Sequence, residues 1–495
     1  MKTFLKTLIL FIVLLLIWKA YSTQAKSSQQ ENLQTALDTY MAAQMEQLKI
    51  PGTAVGIVQG DQIVLVKGYG TFDAARTQPV TPQTPFYLAS LSKSFAALGI
   101  LQLVEAGKLN LDTPVREILP WFQINGEGAE TMTIRHLLHQ TSGLSELDGY
   151  MRNLEPDSPN ALETSIRALA DDTLNRVPGS GYEYSNTNFD VAGLIIETVS
   201  GQNYGDYVQE HIFDPLQMTH SFTTLEAARA NGMSSGYYPF FGIPIVYDRW
   251  IPYTVAIRPS SGLIASAEDM AHYLIAHLNG GQYQGAQILS PAGIDTLHTP
   301  GVTISGETGY AMGWVTFPFG DTVTEGEPVP LAVSHGGTWA GFTSSMLLLP
   351  DKQLGVVTLV NSRDPLRESA YFALAWDVTL IALELEPKYY PPSEDALTQN
   401  GRIVGIVLIF VLCLGNLFLF RRKPGTRFYL LIYLLELALA SYLYFVILPG
   451  SQSNLPILFG FVPDIAILYA IILLLTLGLG TVRTGLHLIK RRQTA

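Results

Sequence analysis

Three apolar stretches close the chain, Ile403 to Phe420, Phe428 to Leu448 and Ile465 to Val482, 18 to 21 residues long and nearly free of charge. A helix of that length spans a hydrocarbon core of about 30 Å. Residues 401–495 are therefore expected to form a membrane domain of three transmembrane helices. Arg421, Arg422, Lys423 and Arg427 flank the first connection, no Lys or Arg lies in the second, and Lys490, Arg491 and Arg492 stand near the C-terminus. Basic residues beside spans stay in the cytoplasm, so the C-terminus is expected inside and the chain before residue 400 outside. Glu436 falls near the middle of the second stretch, where an ionisable group is costly. It is read either as functional or as a hydrogen-bonded helix contact beside a polar neighbour such as Asn416.

The remainder of the chain has the opposite charge. Residues 1–400 hold 21 Lys and Arg against 40 Asp and Glu, net −19, whereas the last part holds 9 against 2, net +7. Without a concentrated basic footprint, nucleic-acid binding is set aside. Lys2 and Lys6 precede an apolar run from Leu8 to Trp18, the length of a signal-peptide core. Residues 1–25 are expected to be a signal peptide, with a retained N-terminal anchor as the alternative, and either one exports the chain beyond it. Cys413 is the single cysteine, so no internal disulfide forms, and no Cys/His cluster has zinc spacing. No metal or cofactor is expected. Pro391, Pro392 and their polar neighbours mark 388–400 as a linker, leaving residues 30–387 as the exported domain.

Within that domain, Ala54 to Val58 and Ile63 to Lys67 are Val/Ile-rich runs joined through Gly60-Asp61, a natural hairpin. Leu331 to Ser334, Phe342 to Leu349 and Gly355 to Val360 form three more strands, with a turn at Pro350 to Gln353. Between these groups the pattern is helical at Lys93 to Ala106, Ile134 to Leu138, Ala161 to Leu169, Thr187 to Thr198 and Ala267 to Leu278; Ser266 and Asp269 make a capping-box-like start for the last. Strands from both ends meeting in one sheet predict an α+β domain, with a five-stranded antiparallel sheet, flanking helices and a helical lobe. A cleft between lobes is a usual ligand site.

Three short motifs carry chemistry. In Phe86-Tyr87-Leu88-Ala89-Ser90-Leu91-Ser92-Lys93 the three-residue spacing places Ser90 and Lys93 on one face of a helical turn. Serine is a poor nucleophile until a neighbour takes its proton, and a partly desolvated lysine amine can do so. Tyr184-x-Asn186 comes after a turn-rich approach at Pro178 to Gly181, presenting a phenol and an amide where a helix begins. His335-Gly336-Gly337-Thr338 ends a strand with glycines that permit close backbone approach. The plain structural alternatives are a capped helix with an exposed lysine, a packed tyrosine with a capping asparagine, and a tight edge turn.

Taken in order, Ser90-x-x-Lys93, Tyr184-x-Asn186 and His335-x-Gly337 resemble the motifs of the serine β-lactamase and penicillin-binding-protein superfamily. Within it they look like the class C β-lactamase-like branch, which also holds D-aminopeptidases and carboxylesterases. Thr133 to Leu138, Thr141-Ser142-Gly143-Leu144 and Phe213 to Met218 look similar to it too, and the likeness covers roughly residues 35 to 385. The resemblance implies a β-lactamase/transpeptidase-like fold. It implies Ser90 as acylated nucleophile, Lys93 and Tyr184 as the proton-transfer system, Asn186 as a substrate-positioning residue, and the backbone amides of Ser90 and Thr338 as an oxyanion hole. His335 stands where β-lactamases and transpeptidases carry a lysine, and imidazole is mostly neutral near pH 7. That departure disfavours carboxylate-bearing β-lactams and favours ester or amide hydrolysis. The second histidine of the H-L-L-x-H segment is Gln140 here, with His139 one place early. His136 and His139 have no third ligand nearby in sequence, so a metal pair is not expected.

The expectation is a membrane-tethered extracytoplasmic serine hydrolase of a bacterial cell membrane. It would act through an acyl-enzyme on an ester or D-amino-acid amide of the cell envelope, as an esterase, D-aminopeptidase or carboxypeptidase. The alternative is a catalytically idle penicillin-binding-like module that binds a cell-wall component while its helices engage a membrane protein partner. A complete Ser90, Lys93, Tyr184 set favours catalysis, since a binding module has no use for a nucleophile and its base.

Overall fold

A computed structural model describes residues 30–146, 158, 160–247, 253–320, 328–339, 341–365, 367–388, 401–421, 426–442 and 463–492. The expected signal or anchor at 1–25 and residues 389–400 of the expected linker lie outside the described residues.

The domain is organised by one antiparallel sheet of eight strands: β1 (Gly52–Gln59), β2 (Gln62–Gly70), β3 (Val302–Ser305), β4 (Thr308–Tyr310), β5 (Val315–Pro318), β6 (Leu331–Trp339), β7 (Phe342–Leu349) and β8 (Leu354–Val360), in the order β2-β1-β8-β7-β6-β5-β4-β3. The five strands expected from sequence are all present and contiguous, and the count of five is corrected by β5, β4 and β3, which continue the sheet past β6. These three run only 3 to 4 residues each, too short for alternation to register. Strands from the beginning and the end of the domain meet one strand in from the β2 edge, where Thr53 pairs with Val360. Strands β7 and β8 are buried along their whole length, which is why neither shows the apolar-polar alternation of a half-exposed strand.

Both faces of the sheet are covered. On one, helix α1 (residues 30–48) and helix α5 (Glu368–Ala382) bring Leu37, Tyr40, Met41, Tyr371, Leu374 and Val378 into one apolar cluster, with the Tyr40 hydroxyl donating to Asp377 Oδ2 at 2.8 Å. On the other lies α4 (Ala267–Leu278), whose N-cap is Ser266: its hydroxyl accepts from the Asp269 amide, as the spacing predicts. Behind α4 sit α2 (Ser92–Glu105) and α3 (Asn186–Ser200). Phe95 of α2 stacks on Tyr273 of α4 at 4.1 Å; full burial of an aromatic ring contributes roughly 1.5 to 3 kcal/mol. This packing fixes the start of α2 against the end of β6, where the motifs converge.

After the domain come α6 (Gly401–Arg421), α7 (Thr426–Tyr442) and α8, which runs as Pro463–Leu473, a π-helical stretch Leu474–Leu479 and Gly480–Arg492. Among the described residues, Pro463–Leu486 is long and apolar enough to cross a membrane, and Ile403–Asn416 is a shorter apolar helix. Glu436 is a hydrogen-bonded helix contact: Arg483 Nη2 donates to its Oε2 at 2.8 Å, and Arg483 Nη1 donates to Asn416 Oδ1 at 2.6 Å. At the other end of α8, Asp464 accepts from the Tyr238 hydroxyl at 2.5 Å and from the Phe241 amide at 3.0 Å.

Candidate active site

Ser90 enters α2 through the 3-10 turn Ala89–Leu91, and Ala89 is held at φ +48°. A left-handed alanine costs roughly 1 to 2 kcal/mol, and this strained turn points the Ser90 side chain out of the helix and into the cleft. The opposite wall is β6. A Cβ placed on Gly337 would lie 2.6 Å from the Ser90 amide nitrogen and 2.7 Å from the Leu88 carbonyl oxygen. Glycine is therefore required there for the strand to reach the nucleophile turn. Thr338, the next residue on β6, lines the same cleft.

Lys93 lies one turn further along α2 and is fully buried. Its Nζ donates to Ser90 Oγ at 3.0 Å, to Asn186 Oδ1 at 2.7 Å and to the Ser260 carbonyl at 2.9 Å. Burial pulls its pKa down to about 7, against a smaller upward pull from the Asp190 carboxylate. The partners decide what the neutral amine does. Asn186 Oδ1 and the Ser260 carbonyl can only accept, so they hold two N–H bonds and leave the lone pair facing Ser90 Oγ. On the other side of that oxygen, the Tyr184 hydroxyl donates to Ser90 Oγ at 2.9 Å, and its ring lies 4.9 Å beneath the Lys93 ammonium. One oxygen thus sits between two groups that can carry its proton.

The loop that delivers Tyr184 and Asn186 is fastened by Gln140. At φ +58°, Gln140 directs Oε1 to accept from the Ser185 amide at 2.9 Å and from the Asn188 side chain. In the sequence Gln140 stands out only as a departure from the family pattern; the structure makes it the clamp on the start of α3. His139 beside it is buried and pulled down to about 4 by that burial. His136 Nδ1 accepts from the Thr133 amide, a local capping contact. Sequence reasoning also misses Asp190 and Ser260. Asp190 has a faint signal, an acid four residues after Asn186 on an apolar helix face; Ser260 contributes a carbonyl, which no side-chain pattern reveals.

His335 stands in β6 with Nδ1–H donating to the Gly336 carbonyl at 2.6 Å and Nε2 facing the Tyr310 hydroxyl at 3.4 Å. Burial, reinforced by the nearby Lys93 charge, pulls its pKa down to about 3. The imidazole is thus neutral across the physiological range. Ser90, Tyr184, Asn186, His335, Gly337 and Thr338 line one cavity of 670 Å³, and Lys93 lies beneath it. Tyr182, Tyr310, Phe317, Phe372 and Trp376 make much of the remaining wall. Away from the cleft, His220, Glu268 and Asp269 have ligand-type atoms within 4.8 Å of one another. There Asp269 is already engaged by the Ser221 hydroxyl and the His220 amide, both at 2.7 Å.

A helical lobe against this sheet, with a serine, a buried lysine and a tyrosine converging at their junction, is a β-lactamase/transpeptidase-like fold. The chain belongs to the Beta-lactamase family, whose model matches residues 37–378. It is 32% identical over 335 residues to the protein called Protein flp of Staphylococcus aureus (strain MW2), covering 66% of this chain and 63% of that one. It is 29% identical over 335 residues to Unguisins hydrolase ungD' of Aspergillus campestris, covering 64% and 60%. The chain thus spans less than two thirds of the length of these relatives. Among solved structures, the octameric penicillin-binding protein homologue from Pyrococcus abyssi superposes with a TM-score of 0.61 at 26% identity, over 75% of this chain and 80% of that one.

Proposed function

We propose that this protein is a membrane-tethered serine hydrolase that works outside the cytoplasm, opening an ester or a D-amino-acid amide of the cell envelope through an acyl-enzyme. The observation that carries the reading is Ser90 Oγ held 3.0 Å from Lys93 Nζ and 2.9 Å from the Tyr184 hydroxyl. Neutral Lys93 takes the Ser90 proton as Oγ attacks the carbonyl carbon. The oxyanion meets the amides of Ser90 and Thr338, and Tyr184 returns a proton to the departing alcohol or amine. Water then enters by the reverse relay and frees the acid, regenerating Ser90. A neutral His335 offers no cation to a substrate carboxylate, which favours a neutral ester or amide over a β-lactam.

Tethering rests on the three apolar segments 403–420, 428–448 and 465–482, read as spans, and on the basic residues beside them. The contact of Asp464 with Tyr238 and Phe241 supports this orientation, because the end of α8 that touches the domain is the one opposite Lys490–Arg492. Incubation of the full chain with a fluorescent phosphonate tests the chemistry. A stoichiometric adduct on Ser90 together with ester turnover is the expected result; an idle binding module would give neither.

A further inference from the structure

Outside the sheet, Tyr237–Phe240 and Ile243–Val246 pair as a hairpin with Phe240 opposite Ile243, so the loop is two residues, Phe241 and Gly242. Their φ values are +49° and +83°, the positive pair of a type I′ turn, a position that favours Asn-Gly. A phenylalanine there is costly in backbone conformation. It is also exposed, along with its neighbours: Phe241 is 37% accessible, Ile243 67% and Ile245 36%. Single exposed apolar side chains are ordinary, but a strained aromatic and two isoleucines clustered at one tip are not. Arg76 stands at their edge, exposed, its Nη2 donating to the Pro244 carbonyl at 2.9 Å. Apolar prongs beside an exposed cation are the composition of an interfacial membrane anchor.

The position of the hairpin names the occupant. The hairpin is bound to the first turn of α8 through the buried Tyr238 and through its own turn: the Tyr238 hydroxyl and the Phe241 amide both donate to Asp464, which is itself fully buried. The helix that begins around Asp464 is the described one long enough to cross a membrane. A tip fastened to the start of such a helix stands at the level where the helix enters lipid. We infer that this hairpin is a lipid-seating element, with Phe241, Ile243 and Ile245 inserted into the headgroup region of the leaflet facing the hydrolase domain and Arg76 beside lipid phosphates. The inference rests on the membrane-tethered reading above. Its consequence is a catalytic cleft held at a fixed orientation to the bilayer rather than swinging on a linker.

The native single cysteine makes the test direct. Cys413 is exposed on α6, so labelling the full chain there with an environment-sensitive fluorophore and reconstituting it in phosphatidylcholine vesicles reports on the span. The same label on Ile243→Cys in a Cys413→Ser background reports on the hairpin. Both proteins should keep turnover of a soluble ester, which shows that the domain is folded. The expected result is quenching of the Ile243→Cys label by nitroxides near the lipid headgroup, with protection from aqueous iodide, while the Cys413 label is quenched by nitroxides deep in the acyl chains. Iodide quenching at position 243 beside lipid quenching at Cys413 overturns the hairpin proposal alone. A blue-shifted position-243 label that no lipid nitroxide quenches means a protein neighbour, such as a second copy, and overturns it too. Absence of lipid quenching at Cys413 sinks the membrane reading itself.

Discussion

Asn186 Oδ1 accepts a hydrogen bond from Lys93 Nζ at 2.7 Å, joining the first turn of α3 to the first turn of α2. The amide oxygen holds the amine without adding charge, which lets burial keep the lysine pKa near 7. Catalysis that needs neutral Lys93 should therefore show an acid limb in kcat/KM with a midpoint near pH 7. Asn186→Asp is nearly isosteric and places a carboxylate at the same spot. An opposite charge at that distance raises a lysine pKa by roughly 1 to 3 units, so the limb should move to higher pH. A pH–rate profile of the variant unchanged from the parent would remove Lys93 as the base.

Stability carries the same signature. The folded pKa of Lys93, about 7, lies below its ordinary 10.5. Between those values the unfolded chain binds the extra proton, so the Lys93 contribution makes the fold more stable as pH rises through that window and is most unfavourable below pH 7. Lys93→Met should raise the melting temperature at pH 6 more than at pH 10, even as activity disappears. Equal shifts at both pH values would contradict the depressed pKa.

Ser90→Ala should abolish phosphonate labelling and lower turnover on the order of a millionfold, the scale of losing a nucleophile from a concerted unit. The adduct is read by intact-mass spectrometry, and a persistent single adduct in the variant would place the nucleophile elsewhere.

His335→Lys puts a cation where the structure holds a neutral imidazole. The ratio of penicillin acylation to neutral-ester hydrolysis should rise by about tenfold or more, the equivalent of about 1.4 kcal/mol. In the parent protein that ratio should show no step near pH 6.5, because His335 titrates far lower, at about 3. A step at pH 6.5 that vanishes in the variant would show that the imidazole does charge in the cleft.

Adjacent glycines of β6 should behave differently. A Cβ on Gly337 meets two backbone atoms of the nucleophile turn, whereas a Cβ on Gly336 meets the Phe372 ring at 2.6 Å. A side-chain ring can rotate away and backbone cannot. Gly337→Ala should cost roughly 1 to 3 kcal/mol of stability together with most of the activity, and Gly336→Ala much less of both. Comparable activity losses in the two variants would remove the close approach of β6 as their cause.

The parts of this molecule that the sequence discloses are those where local geometry forces a neighbour. Ser90 and Lys93 meet because a helix brings residues three apart together; the helices at Ile134–Leu138 and Ala267–Leu278 have the bounds their periodicity predicts. Contacts assembled from distant main chain are invisible to such reasoning. The Ser260 carbonyl that completes the Lys93 cage has no side-chain identity to read, and Gln140 acts through a rare backbone conformation. Arg483 escapes notice for another reason: an arginine directly after Val482 looks like the end of an apolar span, and its burial is offset by Glu436 and Asn416 on two other helices.

The pairing of Thr53 with Val360 places a strand made early beside one made some three hundred residues later. During N-to-C synthesis β1 and β2 are the first strands to emerge, as a hairpin with no further strand to pair with, a structure only marginally stable in water. The seam that joins this hairpin to the rest of the sheet cannot close until residues 354–360 have left the ribosome, and bringing such distant segments together makes folding slow. The sheet of this domain is therefore completed late, with α6 leaving the ribosome about forty residues after β8. A truncation anywhere before β8 should leave no half-domain to rescue.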